Sequence, residues 1–429
     1  MALLILLAIM FLLVGFGFSI WAAMGISGVV YILIQGSYSL KIVVSSLFNG
    51  VDNPNLLAIP LFILAGELMN RAGITKKLAD FAEYFVGRLK GGLAYVAIIV
   101  NIIMAGISGS AIADATAVSS VLLPAMKEKK YEPEFSASIN AAAAVIGPII
   151  PPSIPMIFLG AISGLSIGKL FLGGFIPGLM MGLFLAATVF LTFRKKDRPT
   201  APQQKQYTFA SLFGLFKESF LAIMAPVIVI LGVVLGIVTV VEVAVLVNVY
   251  ILVISLFVYR SIKLRDLFGS IGRAAVFSST MMILFGIVGL YQYIAVSEQL
   301  DLQVMNLMSA WHLNKYAFLL IVNVFFLIWG CLMDAIPGML IFVPVLLPVA
   351  IKLGIDPIHF GVIVVINLMI GLITPPIGGL LFLTTKIAKI PFDRLARKIT
   401  PNIIALICVL LLCTYVPPLV TFLPNLLFR

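Results

Sequence analysis

The sequence predicts an all-α polytopic membrane protein made of two inverted-topology repeats, each holding a re-entrant helical hairpin and a proline-broken helix. Three observations lead there. Of the 429 residues, 62% are hydrophobic and only 10% charged, with a mean hydropathy of +1.19; soluble domains run at roughly 45–50% and about 25%. Residues 146–155, IGPIIPPSIP, set four prolines and a glycine inside a stretch otherwise apolar enough to span a bilayer, and 370–379, IGLITPPIGG, form a distant twin. Finally, residues 122–177 align with 346–401 at a constant offset of 224: Pro124 with Pro348, Pro133 with Pro357, Gly147 with Gly371, Pro151 and Pro152 with Pro375 and Pro376, and Pro177 with Pro401.

Crossing about 30 Å of hydrocarbon takes about 20 apolar residues in a helix. Runs of that kind lie at 2–20, 24–45, 56–72, 136–162, 169–193, 219–239, 241–259, 274–296, 358–385 and 402–423. The first forty residues carry no charged side chain, so 2–20 lacks the basic start of a signal peptide and reads as a retained membrane helix. Two stretches, 92–121 and 316–350, are too long for one crossing and too short for two crossings with a turn. Each is interrupted near its middle, at AGISGSAIAD (105–114) and WGCLMDAIPG (329–338), where its single acid, Asp114 or Asp334, also lies. Two half-depth helices meeting at an irregular tip fit that length. Upstream of the tips the repeat offset reads as 220, pairing Gly66 with Gly286 and Asp114 with Asp334, which implies a four-residue insertion in the second copy.

Charge supplies the orientation. The excess of 28 Lys+Arg over 17 Asp+Glu gives +11, and the bases cluster in short loops rather than in a nucleic-acid-binding patch. With 194–217 inside, the basic loops at 71–91, 122–135, 260–273 and 386–398 all fall on the cytoplasmic side. The base-free loop 46–55 and both termini fall outside, and the two hairpins enter from opposite faces. The expected organisation is scaffold helices over 1–55, a first repeat over 56–193, a cytoplasmic linker over 194–218, scaffold helices over 219–273, and a second repeat over 274–429.

Proline inside a helix removes a backbone donor, and in hydrocarbon such breaks persist only where protein or water surrounds them. Paired breaks in two halves of a chain point to a transporter's binding site. Freed carbonyls suit a hard cation such as sodium, and half-helix N-termini suit a carboxylate. Ser108, Ser110, Thr116, Ser153 and Thr374 add hydroxyls at the same places. With no His, Lys or Arg at the tips, sodium is favoured over a fixed proton relay, although either aspartate can take up a proton. Asp114 and Asp334 also suit capping of the second arms, while Asn101 and Asn323 suit interhelical hydrogen bonding. Glu67 and Glu242 lie near helix ends and are read as facing water or headgroups. Cys331, Cys408 and Cys413 read as small core residues, and neither they nor His312 and His359 have metal-ligand spacing. No phosphate loop is present. An intramembrane aspartyl protease and a channel are the alternatives from other classes; symmetric tips beside helix breaks favour a carrier over both.

The runs SGSAIADATAVSSVLLPAM (108–126), IGPIIPPSIPMIFLGAISGLSIGKLFLGGFIPG (146–178), MDAIPGMLIFVPVLLP (333–348) and GLITPPIGG (371–379) resemble, across essentially the whole chain, the large membrane subunit of TRAP transporters, the DctM type. The general likeness is greatest to the sialic acid (SiaM-type) branch, with a C4-dicarboxylate or another carboxylate as alternative cargo. The resemblance implies an elevator-type, sodium-driven secondary transporter in a bacterial inner membrane. It also implies a small membrane subunit of the SiaQ/DctQ type, expected as a separate chain, and a periplasmic substrate-binding protein of the SiaP/DctP type that delivers a carboxylate. Carried over by position, one sodium site uses Ser108, Ser110, Gly147 and Ile150, and its mirror uses Gly330, Gly371, Thr374 and Ile377. Substrate is expected between them, nearest Ser110, Asp114, Ser153 and Asp334. Thr374 stands where Ile150 does and Ile377 where Ser153 does, so the two copies are expected to differ.

Overall fold

The computed structural model describes residues 2–36, 38–194, 209–234, 236, 238–311 and 313–428, so His312 and most of the predicted linker lie outside the described residues. The described chain is helical throughout: α1 (Ala2–Gly15), α2 (Ile20–Gln35), α3 (Lys41–Val51), α4 (Ala58–Arg71), α5 (Ile74–Val86), α6 (Gly92–Ser108), α7 (Ala111–Glu128), α8 (Pro133–Ala144), α9 (Ile154–Ser163), α10 (Ile167–Phe193), α11 (Phe209–Val234), α12 (Val240–Val253), α13 (Leu264–Ser297), α14 (Leu300–Ala310), α15 (Lys315–Leu332), α16 (Ala335–Lys352), α17 (Pro357–Gly371), α18 (Gly379–Ala388), α19 (Phe392–Tyr415) and α20 (Pro418–Leu427). Among the described residues, six of these elements are long and apolar enough to cross a membrane alone, and α3 joins α4 across a 58° bend as a further candidate.

Several predicted boundaries move, each for a local reason. The run 24–45 is two helices, because Gly36 closes α2 in the left-handed conformation (φ +62°) and the chain restarts at Lys41. Most of the predicted loop 46–55 is therefore helix α3. The bend before α4 is set by Asn53, whose side chain accepts from the Asn55 N–H at 3.0 Å, with Pro54 opening a short 3₁₀ turn. The basic stretch 71–91 contains an amphipathic helix, α5, that buries Ile74, Leu78, Ala79 and Ala82 on one face. Helix α19 begins at Phe392, ten residues before the predicted 402, because ion pairs anchor its basic first turns: Arg394 to Glu134 at 3.5 Å, and Lys398 to Glu132. It ends before Pro417 and Pro418, where α20 takes over. Cys331 and Cys413 are core residues as expected, whereas Cys408 is exposed on α19.

The repeat places like residues at like positions. Pro133 and Pro357 open α8 and α17 at their first turns, Pro124 and Pro348 lie inside α7 and α16, and Pro177 and Pro401 lie inside α10 and α19. Helices α7 and α16 are both 18 residues long and stand at an offset of 224 at both ends. The tip therefore carries no insertion within the second arm. Asp334 corresponds to Ser110, and Asp114 corresponds to Gly338. The expected pairing of Asp114 with Asp334 is corrected accordingly.

Packing interleaves the two copies. Each hairpin lies along its own broken helix, α6 and α7 on α8, and α15 and α16 on α17. Each second arm also packs on the far half of the other copy's broken helix, α7 on α18 and α16 on α9. Helices α2–α4 and α11–α13 pack among themselves on one side, touching the hairpins chiefly through α4, α11 and α13. A buried amide pair ties each first arm to its broken helix: Asn101 donates to Asn140 Oδ1 at 2.9 Å, and Asn367 donates to Asn323 Oδ1 at 2.7 Å. Asn140 donates in turn to the Ser119 hydroxyl (2.7 Å) and the Ala115 carbonyl (3.1 Å), and Asn323 to the Thr414 hydroxyl (2.9 Å). Truncating one member strands buried partners, so Asn140→Ala and Asn367→Ala are each expected to cost about 1–2 kcal/mol, read as a lowered thermal unfolding midpoint of the purified protein in detergent.

Candidate functional site

The first tip is built from Ser108, Gly109 and Ser110. Gly109 takes φ +58°, and a Cβ there would fall on the Pro152 carbonyl, so only glycine lets the tip touch the break. The Gly109 carbonyl accepts from the Ile154 N–H at 3.4 Å across that contact. Ser110 caps α7 through the Ala113 N–H (3.4 Å), which leaves Asp114 free of the capping role. One face of α7 (Ile112, Ala113, Thr116) is exposed, and Asp114 lies on the opposite, fully buried face. The Ser108 hydroxyl donates to Asp114 Oδ1 at 2.5 Å, while Oδ2 has no hydrogen-bond partner among the described residues. A Cβ on Gly147 would fall on that oxygen. An unpartnered carboxylate oxygen buried against proline-interrupted backbone suits a small cation.

The break itself is rich in acceptors. Ten residues at 146–155 include four prolines, so six N–H donors face ten carbonyls. Ser153 offsets part of the imbalance: it is buried, its hydroxyl donates to the Pro148 carbonyl and accepts from the Met156 N–H at 3.2 Å. Ile150 is also buried and packs under Gly178 of α10.

The second tip meets its break differently. Gly330 and Gly371 touch backbone to backbone: a Cβ on Gly371 would lie 2.6 Å from Gly330 Cα, and the Gly378 N–H donates to the Cys331 carbonyl at 3.0 Å. The Thr374 hydroxyl donates to the Ile370 carbonyl at 2.8 Å, and Ile377 is 42% exposed. Asp334 is the N-cap of α16, exposed, and accepts from the Ala335 N–H at 2.7 Å. Where the first copy has Asp114, the second has Gly338 against the Trp329 indole. The buried carboxylate therefore belongs to the first copy.

A cleft of about 320 Å³ opens beside the first tip, lined by Ser108, Ser110, Thr116, Met104 and Ile154 on one side and by Gly66, Glu67, Asn70, Arg273 and Phe277 from α4 and α13 on the other. Of the four residues expected nearest the substrate, Ser110 lines this cleft; Asp114 and Ser153 are turned into the protein, and Asp334 lies at the other tip. The sequence reading missed Glu67, Asn70 and Arg273. Glu67 does not simply face water or headgroups: Arg273 donates to its Oε1 from Nε at 2.8 Å and from Nη2 at 2.5 Å. The available signal was Gly66, whose Cβ would lie 3.2 Å from Ser108 Cα and which lets α4 abut the tip.

A family model described as the DctM component of tripartite ATP-independent periplasmic transporters matches residues 7–419. The chain belongs to that family. It is 34% identical to the sialic acid TRAP transporter large permease protein SiaM of Vibrio cholerae over 92% of each chain. It is 37% identical to the 2,3-diketo-L-gulonate TRAP transporter large permease protein YiaN of Escherichia coli over 89% of each. Among solved structures, the Alcanivorax borkumensis YdaH transporter shares the fold, with a TM-score of 0.53, 14% identity and 88% of each chain covered. This DctM-family chain is thus a multi-pass large permease subunit of a transporter and not an enzyme. The glycines at its tip–break contacts have no room for a side chain. Gly147→Ala and Gly371→Ala are expected to lower the thermal unfolding midpoint in detergent. Gly272→Ala, in a helix with nothing within 4 Å of the added methyl, is expected to leave it unchanged or raise stability by up to about 1 kcal/mol.

Proposed function

We propose that this chain is the translocating subunit of a sodium-coupled importer of an organic acid, with sialic acid as the foremost candidate. The observation that carries the reading is the buried Asp114 carboxylate, with one oxygen unpartnered, held by Ser108 against Gly147 beside a break with more carbonyls than N–H donors. Around that oxygen, Ser108, Ser110, Gly147 and Ile150 supply the remaining donors for sodium. The mirror set, Gly330, Gly371, Thr374 and Ile377, offers backbone and one hydroxyl, so its affinity for the ion is the weaker. Elevator motion fits a cleft bounded by a hairpin on one side and α4 and α13 on the other, because sliding of the interleaved hairpin body past those helices would carry the tip across the membrane. The re-entrant, inverted arrangement, the cytoplasmic basic loops and the periplasmic termini belong to this reading, as do the inner bacterial membrane, a small membrane subunit and a periplasmic binding protein.

Relatives named for sialic acid and for 2,3-diketo-L-gulonate show that the family spans several acids, and a C4-dicarboxylate is the alternative cargo. A cleft of about 320 Å³ lies at the lower end of the roughly 300–1,000 Å³ of ligand pockets and admits an acid of sugar size. The test is uptake into proteoliposomes holding the chain with its small subunit and loaded binding protein. N-acetylneuraminate is expected to accumulate only with an inward sodium gradient, and succinate poorly. Asp114→Asn is expected to raise the half-saturating sodium concentration by about tenfold or more while assembly with the small subunit persists. Uptake driven equally by a pH gradient without sodium would overturn the coupling.

A further inference from the structure

The cleft beside the first tip contains an ion pair that the ion-binding chemistry above does not use. Arg273 is the cation among its lining residues, and both of its bonds to Glu67 converge on a single oxygen, Oε1. The guanidinium remains about half exposed and Glu67 about a quarter exposed, so the pair lies open to the cleft rather than sealed in the core. The cleft is also lined by the Asn70 amide, on the same wall, and by the Ser110 hydroxyl on the facing one, whose oxygen accepts from Ala113 but whose proton is not used by that bond. The other two hydroxyls of the wall donate internally, Ser108 to Asp114 and Thr116 to the Ile112 carbonyl at 2.8 Å.

An acid in this cleft therefore meets one guanidinium, one free hydroxyl proton and an amide, together with a carboxylate that repels it as long as it stays in place. We propose that Arg273 is the residue that reads the substrate's carboxylate and that Glu67 is its internal stand-in, exchanged for the substrate's acid group on binding. The inference rests on the carboxylate-importer reading above. Guanidinium matches carboxylate in a two-bond fork, and here both N–H groups are already aimed at one carboxylate oxygen. Arg71 of α4 lies 3.8 Å from the same Glu67 oxygen, so a displaced Glu67 keeps a cation beside it, while a bound acid gains little from Arg273 until Glu67 is displaced. Glu67 thereby weakens binding and favours release. A purely structural ion pair has the opposite signature, since removing either partner then harms the protein alike.

The test is equilibrium binding of labelled N-acetylneuraminate and of succinate to the purified large and small subunits in sodium-containing detergent. Arg273→Gln is expected to weaken binding of the favoured acid by about tenfold or more, Arg273→Lys to keep most of it, and Glu67→Gln to tighten it by about threefold or more. Tighter binding cannot come from a misfolded variant. Weaker binding in Glu67→Gln, or all three variants within twofold of the parent, would overturn the exchange while leaving the importer reading intact. A parent complex that binds neither acid and imports neither would overturn both.

Discussion

Everything in this fold depends on finding partners for backbone groups where apolar helices are interrupted in the interior of the protein. A helix end in hydrocarbon leaves orphan N–H and C=O groups that water cannot reach. Here the solution is direct contact between a hairpin tip and a broken helix. Gly109 lies on Pro152 in one copy and Gly330 on Gly371 in the other, each too close for a side chain. The tip carbonyls of Gly109 and Cys331 accept N–H groups of Ile154 and Gly378 from the breaks. Prolines remove donors from these segments but no acceptors. What remains after the mutual pairing is an excess of backbone oxygen over N–H donors.

The two copies answer the same constraint unequally. At the first tip a serine caps α7, and the helix turns its buried face, with Asp114, onto Gly147. At the second tip an exposed aspartate caps α16, and a tryptophan fills the space where the carboxylate would stand. An aspartate at the N-cap serves the N–H groups of the first turn, whereas one placed four residues on lies within the helix, and that single displacement separates a buried carboxyl from a cap. The two tip–break contacts thus differ in chemistry, and only the first places a buried carboxyl against its break.

The proline and glycine pattern made the repeat legible because those residues act through backbone geometry, which the two copies share. It located the helix interruptions at 109–110 and 333–334, both breaks and the offset of 224. The register at the tips is ambiguous in sequence, because the two aspartates match at 220 while only the equal lengths of α7 and α16 in the fold fix it at 224. Helices α5 and α14 leave no spanning run in the sequence because both are short; α5 is amphipathic, and the two are held by contacts such as Lys77 over the Tyr259 ring and Asp301 with Lys352. The Lys352 ammonium hydrogen-bonds Asp301 and keeps its carboxyl below the usual carboxylate range. The Glu67–Arg273 pair, 206 residues apart in sequence, was illegible in a single chain, since nothing local marks either residue as facing the other.

The cleft's position links these inequalities to transport. It lies where α4 and α13 meet the first tip, on the outer face of the same helix whose inner face holds Asp114. A charged cargo crossing a low-dielectric barrier is costly unless its charge is compensated nearby. In the importer reading, a carboxylate held in the cleft between α13 and the tip and a cation held behind α7 are separated by one helix's width. Each lowers the cost of moving the other, so coupling needs no long relay between distant sites. It needs a hairpin with a carboxyl on its inner face and an uncharged outer face toward the cleft, which is the arrangement of Asp114 against Ile112, Ala113 and Thr116 along α7.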